Sequence, residues 1–348
     1  MKTLDRFAIE PPDVPMAAVW YLTSLGEAKG RQELFARQSP QRLSALREHA
    51  LVESAVSSNR IEGVEIEASR FREVVLGRPA LRDRNEEEVR GYRNALELIH
   101  GSAQRLPISQ ETILNLHKLS RGSIGDAGQY KAQDIDIIET YPDGPSRIRF
   151  RTVPAAETPA AMQALISRWN ETLDAGRLPH LLAAAAFNLD FLCIHPFRDG
   201  NGRVSRLLLL LQLYRFGFEV GRYISLERII EQNKQRYYET LELSSQGWHD
   251  ARHDPWPYLN FLLFILKTAY QEFADRLGQT DAPKGEKSEV VASAVQRAAG
   301  DFSVADLQRE CPGVSVDMIR HVLQNLRHQG IVECLGRGRN ARWRGRRG

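Results

Sequence analysis

Between positions 181 and 194 the chain is apolar on nearly every side of a helix, and this segment runs straight into His195-Pro196. A helix with no polar face belongs at the centre of a fold, packed by other helices all round. A short polar turn follows, and then a second helical stretch over 204–216 with five successive leucines at 207–211. Helical periodicity also dominates elsewhere, near 16–26, 30–37, 41–60, 67–76, 85–101, 109–120, 156–175, 226–231, 234–246 and 255–276,. The fold expected is mainly α. One interruption reads as β before residue 280: 135–138 and 148–150 flank the turn signal Tyr141-Pro142-Asp143-Gly144-Pro145 and predict a hairpin,.

The turn between the two buried helices carries the chemistry. Residues 195–206 read His-Pro-Phe-Arg-Asp-Gly-Asn-Gly-Arg-Val-Ser-Arg. They bring together a titratable base (His195), a hard-metal ligand (Asp199), a glycine-rich turn (Gly200-Asn201-Gly202) and two arginines (Arg203, Arg206). Glycines let backbone N–H groups approach an anion closely, and a helix start adds unpaired donors and the positive end of its dipole. Arginines three apart share a helix face and can clamp one phosphate chain. Mg²⁺ takes one or two carboxylates and completes its shell with phosphate oxygens, which a single aspartate beside a nucleotide supplies. A histidine with an ordinary pKa near 6.5 suits proton abstraction at neutral pH.

This stretch resembles the signature of the Fic (Fic/Doc) family, HPFx[D/E]GNGRxxR, at every typed position. The resemblance implies a Fic-type helical core with a small β-hairpin flap, and transfer of AMP from ATP to a Ser, Thr or Tyr hydroxyl of a target protein. It implies that His195 is the general base and that Asp199 holds Mg²⁺. Gly200, Asn201 and Gly202 would form the anion cradle, Arg203 would contact the phosphates and Arg206 would reach the γ-phosphate.

Far upstream, residues 58–63 read Ser-Asn-Arg-Ile-Glu-Gly at the end of a helical pattern. Ser58 and Glu62 are four apart and share a face, and Gly63 is a natural helix terminator,. The segment resembles the family's inhibitory motif, [S/T]xxxE[G/N], in the class where that helix precedes the catalytic core. By that resemblance Glu62 pairs with Arg206 and occupies the place of the γ-phosphate, and the same glutamate serves removal of AMP in some members. The hairpin resembles the flap that covers the nucleotide, which puts Ile135, Asp136, Ile137 and Ile138 at the nucleotide. Its loop is longer than the family's short pattern. Tyr237 and Tyr238 resemble a pair lining the adenine end, and Ser245 stands where relatives often carry asparagine.

Residues 278–288 are polar and breaker-rich and read as a linker,. The division expected is an N-terminal helical region over 1–105, a catalytic core over 106–277 and a C-terminal module over 289–348. That module reads as three short helices (288–299, 303–311, 315–329), then strands 331–335 and 341–344 around Gly336-Arg337-Gly338-Arg339-Asn340, a winged helix-turn-helix,. Its last thirteen residues carry six arginines and no acid, against a net charge of +3 for the whole chain. DNA and protein docking are both open as partners for this module, with an inert module the remaining alternative.

Composition sets the surroundings: 42% hydrophobic and 26% charged residues are ordinary for a soluble globular chain,. No apolar run approaches the eighteen or so residues of a membrane span, and 1–6 lack the apolar core of a signal peptide,. Three widely spaced cysteines argue against a disulfide framework and a zinc site and place the chain in the cytoplasm,. The expected partners are ATP and an unidentified target protein, with self-modification; a homodimer is left open. Two other functions compete: a DNA-binding regulator that senses nucleotide, and transfer of a different nucleotide or of a phosphate.

Overall fold

The computed structural model describes residues 2–345 except 39, 78, 124, 140–146, 278–285, 299, 312–313 and 337–340. It is mainly α, as expected. In chain order the helices are α1 (Thr3–Ile9), α2 (Met16–Gln38), α3 (Pro40–Ile61), α4 (Phe71–Leu76), α5 (Arg84–Ser102) and α6 (Gln110–Arg121). The hairpin β1 (Asp136–Glu139) and β2 (Arg147–Arg151) comes next. After it stand α7 (Thr158–Ala175), α8 (His180–Ile194), α9 (Asn201–Arg215), α10 (Leu226–Gln232), α11 (Lys234–Ser245) and α12 (Trp256–Leu277). The last elements are α13 (Glu286–Arg297), β3 (Phe302–Ser303), α14 (Val304–Glu310), α15 (Val316–His328), β4 (Val332–Cys334) and β5 (Arg342–Gly345).

Two compact units emerge. The first comprises Met1–Pro12 with Lys29–Leu259, and the second Asp13–Ala28 with Asn260–Gly348. The second unit joins 13–28 to the residues on both sides of the expected linker at 278–288. Residues 13–28 group with the C-terminal module because Ala17 lies fully buried in one cluster with Val290, Val291, Phe302, Leu307, Ile319 and Trp343. The expected break near 26–30 is also absent: α2 runs through Gly26 and Gly30, which lower helix propensity without ending the helix.

In the first unit the nearly all-apolar segment is the centre. Every residue from Leu181 to Ile194 is buried, and α8 packs against α7, α9, α1 and α11. The two polar residues within 181–194 are satisfied, as buried polar groups must be. Asn188 donates to the Ser205 carbonyl at 2.7 Å and accepts from Tyr258 Oη at 2.7 Å. Asp190 accepts from the Thr3 and Leu4 amides, both at 3.0 Å, and from Trp248 Nε1 at 2.7 Å. Those amides are the free donors that open α1, a helix too short to show periodicity in the sequence.

The second unit contains α13, α14 and α15 with the strands β3, β4 and β5. The sheet order is β3-β5-β4, all antiparallel, and Phe302 pairs with Trp343. Ser303 and Asp306 form a reciprocal cap at the start of α14,. Arg320, His321 and Asn325 of α15 are exposed. Arg344 is taken by the Asp301 carboxylate at 2.6 and 2.9 Å, and Arg342 by the Asp301 carbonyl at 3.0 Å. Arg337, Arg339, Arg346 and Arg347 lie outside the described residues. Among the described residues, no helix is long and apolar enough to cross a membrane.

Candidate active site

The site is the six-residue passage from α8 to α9. His195 closes α8 in the left-handed region at φ 53°, its amide donating to Phe191 O at 3.0 Å. A non-glycine residue there costs roughly 1–2 kcal/mol, so neighbours must hold it. Gly200 has φ +84°, the conformation a glycine adopts freely,. Asn201 fixes the turn like an extra peptide: its Oδ1 accepts from the Phe197 amide at 2.9 Å and its Nδ2 donates to the Phe197 carbonyl at 2.8 Å. His117 stacks on Phe197 with ring centres 3.8 Å apart and contacts Asp199 O at 3.1 Å.

Glu62 reaches this turn from the end of α3. Its Oε1 accepts from Arg206 Nη2 at 2.8 Å, and Arg206 also donates from Nε to Ser58 Oγ and from Nη2 to Ser58 O, both at 2.9 Å. Gly63, at φ +80°, ends the helix that presents them. A Cβ on Gly202 would collide with Glu62 Oε1 and stand 3.1 Å from Arg206 Nη1. The carboxylate therefore lies against the glycine in the first turn of α9, the place where a helix start attracts an anion. Arg206 Nη1 is buried and, among the described residues, without a hydrogen-bond partner. Ser58, Glu62, Gly202 and Arg206, read separately from the sequence, meet here.

Arg203 goes elsewhere. Its Nη1 donates to Glu88 Oε2 at 2.5 Å and to Asn59 Oδ1 at 3.3 Å, and its Nη2 to Asp199 Oδ1 at 3.3 Å. Glu88, on α5, also takes Arg121 Nη1 at 3.0 Å. The expected phosphate contact of Arg203 thus meets a guanidinium already engaged by carboxylates. Glu88 and Arg121 were not legible: 115 and 82 residues separate them from Arg203 along the chain.

Asp199 is half-exposed and accepts from the Gly200 amide and from Arg121 Nη1, each at 2.5 Å, with Arg84 at 3.7 Å. Partial burial pushes its carboxyl up, but Arg203 and Arg121 more than offset this and hold it below the usual range. Among the described residues no cluster of three or more His, Cys, Asp or Glu side chains could hold a metal. One ionised, accessible carboxylate fits Mg²⁺ only if phosphate oxygens and water fill the remaining positions.

Burial, with Lys131 as the next cause, lowers the pKa of His195 from 6.5 to about 4, so its imidazole is neutral at pH 7. Tyr237 is buried and Tyr238 partly so, their rings edge-on at 5.1 Å. Tyr238 Oη donates to Ile61 O at 3.2 Å, tying α11 to the end of α3. Ser245 is buried and donates to Glu242 O at 3.0 Å. The hairpin reaches the same region: Arg149 lies over the Tyr238 ring at 5.6 Å and Arg147 pairs with Glu242 at 2.9 Å. Asp136 pairs with Arg151, Ile137 with Phe150 and, beyond a bulge, Ile138 with Ile148. Ile138 and Ile148 are both exposed, and Ile135 immediately precedes β1. The loop signal 141–145 lies outside the described residues.

Residues 107–213 match the model of the Fic/DOC family. A protein adenylyltransferase Fic from Drosophila persimilis is 26% identical over 231 residues, 65% of this chain and 41% of its own length. The protein of the same name from Drosophila melanogaster is 26% identical over 208 residues, 58% of this chain and 38% of its own. The chain thus spans well under two thirds of these curated relatives. The crystal structure of a Fic family protein from Desulfovibrio desulfuricans G20 shares the fold with a TM-score of 0.63 at 23% identity, covering 97% of this chain and 98% of that one. Fic-1 (residues 134–508) from C. elegans does so with a TM-score of 0.58 at 19% identity, covering 79% and 80%.

Proposed function

We propose that this chain, whose residues 107–213 match the Fic/DOC family model, transfers AMP from ATP to a hydroxyl side chain of a protein and that Glu62 holds it off. The observation that carries this reading is the Glu62 carboxylate on Arg206, 2.8 Å away, against the first turn of α9. A carboxylate and a terminal phosphate are alternative anions for one guanidinium and one helix start. While Glu62 is there, a triphosphate cannot place its end on Arg206.

The rest of the turn supports the transfer step. His195 is neutral and can accept the proton of an incoming Ser, Thr or Tyr hydroxyl. The hydroxyl oxygen then bonds the α-phosphorus, and the bond from that phosphorus to the bridging oxygen breaks to release pyrophosphate. The negative charge of a bound triphosphate favours imidazolium and brings the base nearer to working pH. The start of α9 and Arg206 stabilise charge on the phosphoryl oxygens. Asp199 is the residue that would hold Mg²⁺, which would supply counter-charge for a bound polyphosphate. Arg203, drawn to Glu88, serves here by setting Asp199 in place. Arg149 over Tyr238 brings the hairpin to the end of the site assigned to adenine.

The test is label incorporation from α-³²P-ATP with Mg²⁺, first into the protein itself. Weak labelling of the wild type, strong labelling of Glu62→Gly and none of Glu62→Gly/His195→Ala is the expected pattern. Label from another nucleotide in place of ATP would replace AMP transfer with a different transfer on the same scaffold. Loss of label from purified product only when Glu62 is intact would add removal of AMP to the reading.

A further inference from the structure

We propose that Lys131 is a positioning residue for His195, clamping the two peptide carbonyls that flank the base and tying them to the foot of the β1–β2 hairpin. The inference rests on the reading of His195 as the base. The Lys131 amide donates to Pro196 O at 2.9 Å, and its ammonium donates to Ile194 O at 3.2 Å. One residue therefore grips the backbone on both sides of the left-handed His195. The ammonium also donates to Thr152 Oγ1 at 2.7 Å, and that hydroxyl in turn donates to Ile135 O at 2.5 Å. Ile135 immediately precedes β1 and Thr152 immediately follows β2, so the chain of donors runs from the hairpin's foot to the base.

Two features make this more than packing. Lys131 is only 4% exposed, and a buried cation is retained only where its donors are used. Its charge also acts directly on the base. Lys131 disfavours imidazolium at His195, while Glu62 from α3 and Asp199 from the turn favour it. Lys131 itself is pushed down to about 8 by burial, against the opposing pull of Asp134 and Asp136, and so remains an ammonium where His195 titrates. A target strand that moves the hairpin would move the carbonyl of Ile194, and with it the imidazole.

The experiment uses the full chain with Glu62→Gly, histidine labelled with ¹³C and His195 assigned by its loss in His195→Ala. Lys131→Met is expected to raise the His195 titration from about 4 toward 6.5. It should also cut labelling at saturating ATP by on the order of 10²-fold with KM for ATP unchanged, the scale of a misplaced base. Lys131→Arg should keep the low titration and recover most of the rate. Thr152→Val should lower the rate without moving the titration, because it breaks the link and leaves the charge. An unmoved titration in folded Lys131→Met, or an undiminished rate in it, overturns the proposal. Should Lys131→Met not fold, an undiminished rate in Thr152→Val overturns it. The titration requires no adenylyl transfer, so it decides the inference even if no variant is ever labelled.

Discussion

Arg203 and Arg206 stand three apart on one helix, both almost fully buried, each facing a glutamate from a different helix, and yet the two pairs are built for different ends. Glu88 is 2% exposed and bridges Arg203 and Arg121. Glu62 is 26% exposed and touches Arg206 with one oxygen, while Ser58 satisfies Arg206 from the other side. Removing Glu88 takes the one buried carboxylate from two buried cations, which then share only the half-exposed Asp199. Removing Glu62 leaves a guanidinium that retains Ser58 and has one anion's room beside it. The lesson is that two arginines of one motif need not share a task. What separates them is how many partners each carboxylate serves and whether water or a ligand can reach it.

The largest effect should come from Glu88→Ala, which takes the buried carboxylate from Arg203 and Arg121 and leaves them only the half-exposed Asp199 and Asp126. Breaking a buried pair from one side costs about 3–5 kcal/mol, read as a fall in the urea midpoint. Equal stability to wild type would erase the distinction between the two pairs.

Acid offers a second way to separate ion pairs from the histidines around them. His100, His117, His195 and His253 are each lowered to about 4, in every case first by burial. The folded protein therefore binds these protons less readily than the unfolded chain. Their contribution to stability is whole above pH 6.5 and is lost as pH falls from there toward 4, by at most about 1.4 kcal/mol per pH unit for each. Asp199, held low, stays ionised through this window, so its ion pairs should survive. Urea midpoints at pH 7, 6 and 5 should fall in wild type and fall less in His117→Gln.

Glu62→Gly should change stability by less than about 1 kcal/mol. In a His195→Ala background it should tighten ATP binding about tenfold, or ~1.4 kcal/mol, by equilibrium titration. Unchanged affinity would make Glu62 as structural as Glu88. The smallest effect on activity belongs to Tyr238→Phe, which removes one hydrogen bond to Ile61 O. It should loosen the end of α3 by about 0.5–1.5 kcal/mol and raise basal labelling slightly.

The sequence makes half of this comparison legible. Ser58, Glu62 and Gly63 stand at helical spacing before a glycine, and His195 to Arg206 form one continuous turn, so their chemistry follows from residue type and order. Glu88, Arg121 and Lys131 carry no such signal. A glutamate in the charged opening of α5 looks solvated until α6 and α9 pack over it. The same limit applies to Arg203: spacing gives the helix face, and only tertiary packing gives the partner. Local signals likewise missed α1 and β3. Seven residues and two residues show no period, and each is fixed by distant contacts, Asp190 in one case and Trp343 in the other.

The Asn201 side chain closes both polar groups of the Phe197 peptide into a ring with it. In isotopic terms, the Phe197 amide should hold its proton against deuterated solvent with or without nucleotide, while amides around Glu62 change protection as the anions exchange. The cradle would then keep one slow clock and the glutamate a faster one, and the ratio between them would report occupancy of Arg206 without any reaction taking place.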